Sequence, residues 1–125
     1  MIHIKTLLTY NLEPHARQAL LENALEHTHA DLAAIRQAIE AGDLAEARQQ
    51  VHRAKGTVSF LSADRDASRH LDTLTEALRT EDSRRIADAC QPVYAILREL
   101  EAEVRALLNG TAPGGAKTKN RLVED

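Results

Sequence analysis

Aromatic residues are almost missing from this chain: among 125 residues there are 2 Tyr, 1 Phe and no Trp. Tyr10, Tyr94 and Phe60 are too few to build the stacking platform on which single-stranded nucleic acids are held. Nor does any stretch concentrate Lys and Arg. The 16 basic residues are outweighed by 19 acidic ones, leaving a formal charge of -3, so no segment is suited to neutralising a run of phosphates. Nucleic acid is not an expected partner. The single cysteine, Cys90, cannot form an internal disulfide, and a small domain without disulfides suits the reducing cytoplasm. No apolar run approaches the roughly 20 residues that span a bilayer, and the N-terminus lacks the order of a signal peptide. This segment is therefore expected to make no membrane contact.

Glycine and proline are also scarce, at 5 and 3 residues. The chain that remains is rich in Ala, Leu, Glu, Arg and Gln, all residues that lose little on entering a helix. Its length fits one domain with a modest core. Residues 1–10 carry no decisive pattern, 11–110 read as a helical body, and 111–125 hold too few apolar residues to offset the entropy of ordering. That tail is expected to be disordered.

Within the body, Asn11 or Glu13 can cap a first helix whose opening turn accepts Pro14, with Ala16, Leu20, Leu21, Ala24 and Leu25 on its apolar side. Thr28 and Asp31 look like a fresh N-cap for a second stretch, nearly continuous with the first, bearing Leu32, Ile35 and Ile39 and stopping at Gly42. Asp43 and Glu46 open the next helix, whose stripe is Leu44, Ala47, Val51, Ala54, Val58 and Leu61. After a loop at 62–64 comes a helix with Ala67, Leu71, Leu74 and Leu78, then a polar break at 80–83. The last helix carries Ile86, Cys90, Val93, Leu97, Leu100, Val104 and Leu107, with a kink or tilt expected at Pro92 and a left-handed end at Asn109 or Gly110. Short connections and one apolar stripe per helix predict an all-α, up-and-down antiparallel four-helix bundle, with room for a short extra helix at the N-terminus.

The chemistry centres on His52. At about 100° per residue it points roughly 130° away from the middle of its helix's apolar stripe, toward solvent. Lys55 and Gly56 are its i+3 and i+4 neighbours, so an ammonium stands beside the imidazole and the next position has no side chain. Ala45, Gln49 and Ser59 lie on the same face. A mid-helix glycine costs about 1 kcal/mol against alanine, and close approach by another molecule is a reason to keep one. A neutral imidazole, with a pKa near about 6.5, is a competent nucleophile at cellular pH, and a neighbouring ammonium can neutralise a phosphoryl group bonded to it.

The segment VHRAKGTVSFL at 51–61 resembles the His-x-x-Lys-Gly motif of histidine-containing phosphotransfer (HPt) domains, modules of bacterial multistep phosphorelays found in hybrid sensor histidine kinases. The preceding EAGDLAEARQQ and the flanking helices from about 12 to 108 agree with that family's layout. The resemblance implies that His52 is the phospho-acceptor through the ring nitrogen remote from the backbone. It implies that Lys55 steadies the phosphoryl oxygens and that Gly56 leaves room for a receiver domain. Arg48, Gln49, Arg53 and Ser59 are rim candidates for that partner. The partners implied are the receiver domains of a hybrid sensor kinase and of a response regulator, each bringing its own aspartate and magnesium. No cofactor or ATP site is expected in this chain, which contains no Gly-rich phosphate loop. It would be a carrier and not a kinase. A sensor kinase's own histidine helix reads His-Glu followed by Arg-Thr-Pro, unlike HRAKGTV. The implied location is the cytoplasm, including as the C-terminal module of a membrane-bound sensor kinase. Two positions depart from the family: Ala54 stands where a larger aliphatic is common, and Ser62 where a glycine is.

A non-catalytic helical interaction module with the same fold is the alternative. Glu26 and His29 make one Glu-x-x-His step, but a di-metal bundle needs a second, so metal binding is not expected. His27 and His29 read as surface residues near a helix junction, and Cys90 as a small buried apolar residue.

Overall fold

A computed structural model describes residues 13–62 and 64–109. The expectations for 1–10, including an extra helix there, and for 111–125 lie outside the described residues. Four helices make up nearly all of the rest, and no strand occurs among the described residues: α1 (Pro14–Glu40), α2 (Leu44–Leu61), α3 (Arg65–Thr80) and α4 (Ser83–Leu108). Connections at 41–43, 62–64 and 81–82 are short, which forces consecutive helices to run antiparallel. The main packing pairs are α1 with α2, α2 with α3, α3 with α4, and α4 with α1. This is the closed square of an up-and-down four-helix bundle.

Each helix begins where a side chain takes over the orphan N–H groups of the first turn. Glu13 accepts from Ala16 N at 2.6 Å, Asp43 from Glu46 N at 3.1 Å, Asp64 from Asp66 N at 2.9 Å, and Asp82 from Arg84 N at 3.0 Å. Gly42 adopts the left-handed φ of 76° that closes α1 against the start of α2. Glu81 does the same between α3 and α4 at φ 60°, a conformation costly for a residue with a Cβ. The apolar stripes converge as their spacing predicts: Ile35, Val58, Leu71, Leu74, Leu78, Val93, Leu97, Leu100 and Val104 are fully inaccessible. Leu44 and Leu107, at the ends of their stripes, are only partly covered.

Several local expectations are corrected. Thr28 and Asp31 do not start a helix; α1 runs unbroken for 27 residues. The Thr28 hydroxyl instead donates to the Ala24 carbonyl at 2.7 Å, which satisfies it without leaving the helix. Consequently His27 and His29 are exposed at mid-helix and mark no junction. Ala16 faces solvent, outside the apolar side assigned to it. Asn109 has φ -85° and is not left-handed, and Gly110 lies outside the described residues. Pro92 lies within α4, as the last apolar stripe implies, and the helix continues on both sides of it. The two unusual positions have plain structural roles. Ala54 is completely buried where α2 meets its neighbours, and Ser62 leaves α2 in an extended conformation, φ -132°, that does not call for glycine. The Ser62 hydroxyl accepts from Asp64 N at 3.0 Å, tying the exit loop to the start of α3.

Candidate functional site

The site is built on α2, the helix flanked by α1 on one side and α3 on the other. Val51, Ala54 and Val58 anchor its inner face with at most 1% exposure. That anchoring fixes the rotation of the helix and turns His52 outward, where it is exposed. Gly56, one turn further on, is exposed as well. A Cβ built on Gly56 would meet nothing within 4 Å, so no contact inside the fold requires glycine there.

Toward α3, a shallow depression is lined by Arg48, Gln49, His52, Arg53 and Lys55 from α2, joined by Asp72, Thr75 and Arg79 from α3. Three guanidinium groups and one ammonium thus surround the imidazole in a chain whose net charge is -3. The local field favours an anionic ligand or surface. Lys55 does not stand free: its Nζ donates to Asp72 Oδ1 at 2.7 Å across the α2–α3 seam. Arg79 is held within α3 by Glu76 at 3.0 Å.

Toward α1, Gly56 opens a second, more apolar groove together with Leu20, Ala24, His27, Phe60 and Leu61. Phe60 is the large apolar side chain that stays 49% exposed. Ser59 belongs to neither region. It lies over the α3 start, its hydroxyl 3.4 Å from that of Ser68. Of the residues singled out by sequence, the structure therefore brings His52, Lys55, Arg48, Gln49 and Arg53 together, sets Gly56 at the edge facing α1, and places Ser59 apart.

Residues not anticipated from sequence are Asp72, Thr75 and Arg79. A signal for them existed: each follows directly after a core leucine of α3, Leu71, Leu74 or Leu78, so they form a polar stripe beside the apolar one. Which of them would meet Lys55 depended on the register of α3 against α2. Behind the site, Asp31 on α1 is 4% exposed. Burial pushes its carboxyl upward, against the pull of the Thr57 hydroxyl, His27 and Arg53. Its Oδ2 atom has no hydrogen-bond partner.

The remaining candidates are dispersed. His15, His27, His29 and His70 are all exposed, and His29 Nδ1 approaches Glu101 of α4 at 3.4 Å rather than Glu26. Among the described residues no three His, Cys, Asp or Glu side chains are grouped as a metal site would need. Cys90 is buried on α4, and burial raises its thiol pKa despite a hydrogen bond with Tyr94, so little thiolate is present. No helix among the described residues is long and apolar enough to cross a membrane. Comparison with known proteins found no family model, no curated protein and no solved structure that matches this chain.

Proposed function

We propose that the domain is a phosphohistidine relay of the HPt type, carrying a phosphoryl group between the receiver domains of a hybrid sensor kinase and a response regulator. The observation that carries this reading is Gly56: an exposed mid-helix glycine, unexplained by any internal contact, one turn from an exposed histidine. A helix gives up stability to keep such a gap, and access for a partner's surface accounts for it. The cationic surroundings of His52 supply the second requirement, a field that suits an incoming phosphoryl group.

In the forward step the lone pair of His52 Nε2 attacks the phosphorus of a receiver's aspartyl phosphate. The P–O bond to the aspartate breaks, its electron pair returns to the carboxylate, and a P–N bond forms. The remote proton of the imidazole stays on Nδ1 until solvent removes it. Lys55 offsets the charge on the phosphoryl oxygens. The second transfer runs the same step backward onto a response regulator. Magnesium and the acceptor aspartate belong to the receivers, and the domain contributes neither ATP binding nor kinase chemistry of its own.

The test is phosphoryl transfer from a phosphorylated receiver. Wild type should acquire an acid-labile, alkali-stable label that is absent from His52→Gln. Equal labelling of the two proteins would end the proposal. Partner binding that survives His52→Ala, with no label from any donor, would instead identify a non-catalytic interaction module.

A further inference from the structure

The ion pair between α2 and α3 carries a second inference, which rests on the phosphotransfer reading. We infer that Asp72 is a positioning residue that holds the Lys55 ammonium in the unphosphorylated protein and yields it to the phosphoryl group on His52. Lys55 would then change partner at each transfer.

Three observations support this exchange. Lys55 is the cation at i+3 from His52, yet its Nζ is engaged by Asp72 Oδ1 at 2.7 Å. Among the described residues, Asp72 is the one acidic side chain lining the depression that contains His52 and Lys55. Finally, the pair is open to water, with side chains 42% and 58% exposed. An exposed pair of this kind is weak, so a doubly charged phosphoryl group on the neighbouring imidazole competes for the ammonium effectively. A buried pair would lock Lys55 away. Asp72 thus parks the ammonium on the correct side of the helix while tempering its availability.

The exchange predicts a defined dependence between two positions. Potassium phosphoramidate is a suitable probe: its P–N bond breaks as the new P–N bond to His52 forms, and ammonia leaves with the imidazole proton as ammonium. The rate of labelling at His52 is read by mass spectrometry of the intact fold, with labelling at the exposed His15, His27, His29 and His70 as the internal reference. Asp72→Asn should raise the His52 rate by about two- to fivefold, the range an exposed ion pair can supply. Asp72→Glu should return it toward wild type. Lys55→Ala should lower the rate, and Asp72→Asn should add nothing in that background. A gain from Asp72→Asn that persists without Lys55 would mean simple charge repulsion and overturn the exchange. Equal rates in wild type and Asp72→Asn would overturn it too, leaving the parent reading intact. A His52 that the reagent does not label removes both.

Discussion

Gly56 stands one turn beyond His52 on the exposed side of α2, and the space where its side chain would be is empty to 4 Å. Stability and function should therefore pull in opposite directions at this position. Gly56→Ala should stabilise the domain by about 0.5–1 kcal/mol through helix propensity alone, read as a higher urea midpoint. Transfer from a phosphorylated receiver should fall in the same variant, and further in Gly56→Leu. An alanine variant less stable than wild type would show that the fold itself uses the glycine.

Asp31 gives the domain a predictable response to pH. Burial raises its carboxyl above the ordinary 3.8, so the native state holds this proton more tightly than the unfolded chain does. The ionised form therefore weakens the fold above the native pKa, and the penalty fades as pH falls, vanishing below the unfolded value of about 4. Asp31→Asn should be more stable than wild type at neutral pH, with the difference closing on acidification. Thermal unfolding across the acidic range tests this. A difference that instead grew toward low pH would reverse the sign assigned here.

Glu81 occupies a left-handed conformation at φ 60°. Glycine at that position removes the clash of Cβ with the following carbonyl, roughly 1 kcal/mol. Glu81→Gly should therefore raise the denaturation midpoint, whereas Gly42→Ala, at φ 76° with the same requirement, should lower it. Equal and opposite behaviour at the two turns is open to direct measurement by denaturant titration.

Leu97 is fully inaccessible at the centre of α4. Truncation to alanine should cost about 2–5 kcal/mol. Because α4 lies across the bundle from α2, the chemistry of His52 should be retained at temperatures where the variant stays folded, and labelling by phosphoramidate distinguishes the two effects.

Much of this bundle is legible in the spacing of its leucines and valines. Val51, Ala54 and Val58 recur at steps of three and four and so specify both the helix and its rotation, which is why the outward direction of His52 could be derived by counting. Caps were legible where geometry left one choice, as at Asp43. They were misread where a polar side chain had another outlet: Thr28 bonds back to Ala24 at 2.7 Å within a continuous helix, and no local pattern separates that use of threonine from capping. The left-handed residue at 81 was hidden for the converse reason, since a glutamate occupies a place where glycine would have signalled the turn. At the site, His52, Lys55 and Gly56 are close in sequence and were visible together. Asp72 was not, because its meeting with Lys55 depends on how α3 slides against α2, and that is settled by packing along the whole seam.

The unequal lengths of the helices have a geometric consequence. α1 and α4 contain 27 and 26 residues against 18 and 16 in α2 and α3. At a rise of about 1.5 Å per residue the longer pair extends some 13–15 Å further. The excess falls at the end where residues 13 and 109 lie, because the short turn at 41–43 leaves α1 no overhang at the opposite end. Past the α2–α3 loop the bundle thus continues as α1 and α4 alone. Residues 13 and 109 therefore lie at the same end of the bundle, past the α2–α3 loop and remote from the turn at 41–43.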